Sequence, residues 1–224
     1  MRKLIGIILM AVMLISLTAC GSSSADKTNT TGNAASKETA GKETAGLSDT
    51  PADAQTTASE PGGEKSRILI AYFSWSGNTE QLAGMIEEKT GGDLFKIEPQ
   101  TPYTDDYNEL LDVAKQEQSD GARPETSAKV ENWEDYDVIF VGYPNWWNDA
   151  PMLILSFLES YDCAGKTVVP FCTSGGGGFG RSESSVKASA DGAAFADGFH
   201  VNGNNVGNAK DSVNAWLDGL DILK

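Results

Sequence analysis

The densest chemistry in this chain lies in six residues, Ser74, Trp75, Ser76, Gly77, Asn78 and Thr79, which directly follow the apolar run from Ile68 to Phe73. Strand, then a small polar loop, then a helix is the order that builds an anion site. The first turn of a helix leaves backbone N–H groups unpaired at the positive end of its dipole, and the hydroxyls of Ser74, Ser76 and Thr79 add donors. Neither the Gly-Lys-Ser/Thr ending of a triphosphate loop nor a G-x-G-x-x-G dinucleotide pattern is present. With no Lys or Arg in the loop, N–H dipoles and hydroxyls must neutralise the guest. A dianionic monophosphate fits that better than a triphosphate carrying magnesium.

Two further loops have unusual composition. Pro144, Asn145, Trp146, Trp147, Asn148 and Asp149 set adjacent indoles among polar residues. Neighbouring side chains point different ways, so one indole can face a ligand while the other packs on the domain. Thr173, Ser174 and four glycines from Gly175 to Gly178, closed by Phe179, allow backbone to approach a flat ring closely.

Other chemistries find little support. His200 is the only histidine, there is no Cys-x-x-Cys, and no cysteine–histidine cluster exists, which leaves metal ligation and His-based nucleophilic catalysis without residues. His200 falls in an expected strand and reads as structural. Cys163 and Cys172 stand at opposite ends of another expected strand, about 20 Å apart at the usual rise, so a disulfide between them is not expected.

Positioning the three loops requires a frame, and hydrophobic periodicity supplies it. Strands are expected at 67–73, 93–98, 137–143, 166–173 and near 194–201. Helices are expected at 79–89, 106–118, 151–160, with Pro151 at the first helical position, near 182–189 and at 210–223. Apolar strands alternating with amphipathic helices form a parallel sheet covered on both faces. In such a sheet ligands sit beyond the carboxyl ends of the strands at a switch in strand order, and all three loops fall at such ends.

The N-terminal part differs. Arg2 and Lys3, an apolar stretch from Leu4 to Leu17, and Leu17-Thr18-Ala19-Cys20 read as a signal peptide over 1–19 with a lipobox, so that Cys20 carries the lipid after processing. Residues 20–65 hold Leu47 as their one large apolar side chain and a near-duplicated Lys-Glu-Thr-Ala-Gly, the composition of a disordered linker. That leaves one domain at 66–224. The expected location is the extracytoplasmic face of a cell membrane, with membrane contact through Cys20 alone. The chain has 17 basic against 32 acidic residues, a net charge of −15, which argues against nucleic acid as a partner.

The order S-W-S-G-N-T after a strand, then V-G-Y-P-N-W-W-x-x-x-P, then P-F-C-T-S-G-G-G-G-F-G resembles the flavodoxin-like family, in particular its bacterial flavodoxin-type lipoproteins. The likeness extends over essentially all of 66–224, including Arg123-Pro124, Gly165-Lys166 and Trp216-Leu217. It implies an α/β fold with a doubly wound five-stranded parallel sheet of order 2-1-3-4-5, helices on both faces, and non-covalent FMN. Transferred to this chain, Ser74, Ser76, Gly77, Asn78 and Thr79 hold the phosphate with Trp75 at its flank. Tyr143 to Asn148 lie on one side of the isoalloxazine and Thr173 to Phe179 on the other. Three functions then compete: an FMN electron carrier, an NAD(P)H-dependent quinone-type oxidoreductase, and a lipid-anchored binding module without flavin. Outside the cytoplasm free NAD(P)H is scarce, which favours a carrier exchanging electrons with an unidentified redox protein or quinone.

Overall fold

The computed structural model describes residues 66–223. The expected signal peptide, Cys20 and the linker lie outside the described residues. Among the described residues five α-helices and six strand segments follow in the order β1 (Ile68–Tyr72), α1 (Asn78–Thr90), β2 (Asp93–Lys96), α2 (Tyr107–Asp120), β3 (Val138–Pro144), α3 (Met152–Glu159), β4 (Thr167–Ser174), α4 (Ser182–Ser189), β5 (Ala194–Phe195), β6 (Phe199–Asn202) and α5 (Lys210–Gly219). All pairings in the sheet are parallel and its order is β2-β1-β3-β4-β5, with β6 also on β4. The chain therefore reverses direction across the sheet after β2, and β1 and β3 flank that switch.

Both faces of the central strands are apolar because both are covered. Leu69, Ala71, Ile139, Val141 and Val168 join a core with the apolar residues of α3, while Ile68, Ile70, Val138, Phe140 and Val169 pack with Leu82, Ala83 and Ile86 of α1 and Val213 and Leu217 of α5. Alternate residues of one strand thus feed two separate cores, as the two-residue period of a strand requires.

Helix ends follow their residues. The Asp106 carboxylate caps α2 by accepting from the N–H of Asn108 at 2.8 Å and of Glu109 at 3.0 Å. Helix α5 stops at Gly219, short of the expected 223, and Asp221–Leu223 forms a separate 3-10 turn. Pro151 stands just before α3 as its cap, with its φ already close to helical, rather than at the first helical position.

The expected fifth strand at 194–201 is broken into β5 and β6. Thr167 and Val168 pair with Ala194 and Phe195, whereas Phe171 pairs with Phe199, so Val169 and Pro170 face three residues, 196–198. The cause is Pro170, which has no N–H to give to the neighbouring strand. The extra residue forms a bulge, and Gly198 fits there because a side chain would meet the Pro170 carbonyl oxygen at 2.8 Å.

Candidate functional site

At the carboxyl ends of β1, β3, β4 and β6 the structure holds a cavity of about 700 Å³. Ser76 and Asn78 border it from the first loop and Trp75 from its flank. Pro144, Asn145, Trp146 and Trp147 come from the second, Thr173, Ser174 and Gly175 from the third. Of the other expected residues, Ser74, Gly77, Thr79, Asn148, Gly176 and Phe179 are not part of this lining. No side chain in the lining carries a formal charge.

The first loop has the features of an anion site. Gly77 takes φ 86°, a left-handed conformation that suits glycine, and no side chain caps α1. Its opening N–H groups are therefore free of an intrahelical or side-chain partner. In the loop that leads to them the Ser74 Oγ is buried and has no hydrogen-bond partner. A buried hydroxyl left unpaired costs about 1–3 kcal/mol, a cost that an incoming phosphate oxygen would remove. The expected phosphate ligand Thr79 behaves differently: it is 1% exposed, and its Oγ1 lies 2.9 Å from the Oγ1 of Thr173. Thr79 thus ties the first loop to the third through its side chain, and only its backbone N–H faces the helix start.

The second loop divides the two indoles. Trp146 is half-buried and meets Phe73 and Tyr103 edge-on, with ring centroids 5.3 and 5.2 Å away. Trp147 is 45% exposed and donates its indole N–H to the Leu111 carbonyl at 2.9 Å. The backbone turns between them: Trp146 and Asp149 exchange N–H···O bonds of 2.9 and 3.0 Å, with φ 50° at Trp147 and 65° at Asn148. Two positive φ values at the centre of a four-residue turn are the type I′ pattern, and a tryptophan at the first of them is strained.

The third loop restrains that turn. The Arg181 N–H donates to the Asn148 carbonyl at 3.0 Å, and its guanidinium meets the buried Asp149 carboxylate at 2.6 Å. The Asn145 amide donates to the Gly178 carbonyl at 2.8 Å, and the Asn145 N–H to the Thr173 carbonyl at the same distance. The glycines are thus held from outside their own sequence, despite their backbone freedom.

Two groups of lining residues escaped the sequence reading. Tyr107, Leu110, Leu111 and Ala114 of α2 form an apolar wall, and Trp75, held by the Thr104 carbonyl at 2.9 Å, lies 6.1 Å from Tyr107. Nothing in the periodicity of α2 separates this wall from an ordinary core-facing stripe. Asn202, Gly203 and Asn204 close the cavity after β6. Their signal was legible: a polar turn composition at the carboxyl end of one more strand. Gly203 fits there because a Cβ would come within 2.8 Å of the Asn78 amide nitrogen.

Among the described residues there is no group of three or more acidic, histidine or cysteine side chains placed to hold a metal ion, and no helix is long and apolar enough to cross a membrane. Cys163 and Cys172 are free and buried, as their spacing suggested. Burial pushes the Cys172 thiol up to about 12.

Comparison with known proteins gives this geometry a relationship. Residues 67–220 match the family model described as flavodoxin. An inferred flavoprotein of Bacteroides eggerthii is 38% identical, with a TM-score of 0.60 over 68% of this chain and 96% of that one. One from Bacteroides uniformis is 33% identical, with a TM-score of 0.62 over 69% of this chain and 99% of that one. A Lactobacillus acidophilus flavoprotein crystallised in complex with FMN is 25% identical, with a TM-score of 0.53 over 64% of this chain and 97% of that one. The comparison with curated proteins finds no match. The strand order, the switch-point cavity and the family match agree, and the chain belongs to the flavodoxin family.

Proposed function

We propose that this chain is an FMN-binding electron carrier. One observation carries the reading: a buried, unpartnered Ser74 Oγ in the loop that leads into an uncapped helix start, the loop whose Trp75, Ser76 and Asn78 line an aromatic-walled cavity without formal charge. The L. acidophilus flavoprotein crystallised with FMN supports the same guest.

When bound, FMN supplies the redox chemistry of its flavin ring. The chain's part is to hold and tune. Ser74, Ser76 and the first N–H groups of α1 would take the phosphate, with helix dipole in place of a cation. Trp147, Tyr107 and the apolar wall of α2 would exclude water from the ring. Asn145, Thr173, Ser174 and Gly175 would border its other edge. A net charge of −15 opposes further negative charge on the ring and so lowers its potential. The lining holds neither carboxylate, histidine, lysine nor thiol to act as a dedicated acid or base, which suits electron exchange better than a reaction needing one.

The test is an absorbance spectrum of the purified protein after mixing with FMN and gel filtration. Retained flavin bands and quenched flavin fluorescence are expected; a colourless protein that leaves FMN fluorescent would overturn the proposal. Adding NADH with a quinone should then give no steady turnover, and sustained NADH oxidation would make the protein a reductase.

The N-terminal residues support a second part of the proposal, a lipid tether on Cys20 at the extracytoplasmic face of the membrane. Arg2, Lys3, the apolar stretch and Leu17-Thr18-Ala19-Cys20 are its basis. Cys20→Ser should move the protein out of the membrane fraction, and unchanged fractionation would refute the tether.

A further inference from the structure

Besides its bonds to Asn145, the glycine loop has two of its amides gathered on one hydroxyl. The Ser174 Oγ accepts the N–H of Gly176 at 3.0 Å and of Gly178 at 3.2 Å, and lies 2.8 Å from the Nε2 of His200. A serine hydroxyl has two lone pairs and one proton. The glycine amides take both lone pairs, so the proton must point at Nε2. His200 therefore accepts through Nε2, carries its own proton on Nδ1, and is neutral. A second proton on the ring would sit on Nε2 and aim a third donor at two lone pairs. One glycine amide would then have to let go.

The ring's surroundings offer a proton no compensation. His200 is half-buried on β6, with the Phe179 ring centroid 6.1 Å away. Strand β4, which pairs with β6, carries no charged side chain; its residue opposite His200 is Cys172, a thiol kept neutral by burial. The turn Gly203–Asn208 that follows β6 is also uncharged. Asp197 precedes β6. Arg181, which caps α4 and is paired with Asp149, and Glu183 and Lys187 on α4 are the charges beyond the loop. Burial holds the ring's pKa below its ordinary value.

We propose that His200 is a positioning residue for the flavin site: its neutral ring takes the Ser174 proton and so fixes the turn from Ser174 to Gly178, and protonation of the ring loosens that turn and weakens flavin binding. The proposal rests on the FMN reading above, because Ser174 and Gly175 line the cavity assigned to that cofactor.

The experiment follows the amide resonances of Gly176 and Gly178 in the flavin-free full chain from about pH 8 to about pH 5, with FMN affinity measured by fluorescence quenching over the same range. Both glycine amides should move with the midpoint of the His200 ring signals. The Kd for FMN should rise below that midpoint by up to about tenfold per pH unit, the limit for one linked proton. His200→Gln offers Ser174 a carbonyl acceptor and does not titrate. In that variant the glycine amides should stay fixed, and Kd should keep only the weaker dependence due to the phosphate, whose second pKa is about 6. Ser174→Ala keeps a titrating ring and cuts the link, so its glycine amides should also be insensitive to that titration. Fixed glycine amides in the wild type, or the wild-type Kd slope retained in His200→Gln, would overturn the proposal. Failure to bind FMN at about pH 8 refutes the cofactor reading and the flavin half of this proposal. The amides of the flavin-free protein separate that result from failure of the Ser174–His200 link.

Discussion

Thr79 and Thr173, on different loops of the site, join their hydroxyls at 2.9 Å. Both are buried, so the first turn of α1 and the end of β4 are locked by a bond that no bound anion has to complete. Ser74, by contrast, has a buried Oγ and no partner. The two residues should fail in different ways. Thr79→Val leaves the Thr173 hydroxyl unpaired and should lower stability to urea by about 1–3 kcal/mol, with a smaller effect on FMN affinity. Ser74→Ala should leave urea stability unchanged or raised and weaken FMN binding by about 1.5–3 kcal/mol, the worth of a hydrogen bond to a charged group. Equal losses of affinity in both variants would contradict this division.

The adjacent tryptophans should separate in the same manner. Trp146→Ala removes a ring packed against Phe73 and Tyr103 and should cost about 3–5 kcal/mol of folding stability. Trp147→Gly relieves a positive φ at a residue 45% exposed, and should stabilise the flavin-free protein by about 0.5–1 kcal/mol while reducing FMN affinity. Chemical denaturation of both variants, with and without FMN, reads the two effects. A destabilised Trp147→Gly would mean that its bond to the Leu111 carbonyl outweighs the strain.

Lys166, 8% exposed, donates to three backbone carbonyls: Tyr136 at 2.6 Å, Trp133 at 2.9 Å and Glu134 at 3.3 Å. It closes the turn that leads into β3, far from any catalytic role. Lys166→Met keeps much of the volume but leaves those carbonyls unpaired, and should cost about 2–4 kcal/mol with FMN affinity unaltered. Urea midpoints check the first expectation and flavin titration the second.

Burial raises the carboxyl pKa of Glu117, against the lowering effect of the Tyr103 hydroxyl that donates to it at 2.9 Å. The folded group therefore holds its proton at pH values where the unfolded one has lost it. Its contribution to stability is full below the unfolded pKa and is lost as pH rises through the folded one. Glu117→Gln should remove that dependence, so the variant gains on the wild type from acid towards neutral pH in thermal melts. A constant difference between the two would show that Glu117 does not titrate in this window.

Much of the frame was legible because its signal is local. Each of Ile68 to Tyr72 and Val138 to Val141 is apolar, and only a strand covered on both faces needs that. Asp106 announced the start of α2 through its own carboxylate. The break between β5 and β6 was hidden because its cause, Pro170, lies on a different strand from its effect.

By itself the sequence determined that a polar loop, a paired indole and a glycine run stand at carboxyl ends of strands, because residue order and the two-residue strand period suffice for that. Only the tertiary structure decided which groups are free to act there. Thr79 is engaged and Ser74 is open, Trp146 is packed and Trp147 is presented, and His200 reaches Ser174 across neighbouring strands. Apart from Ser74, which has no partner, each of these depends on partners 26 to 94 residues away in the chain, and hydrogen bonds and ring contacts form by proximity in space, which no single segment encodes.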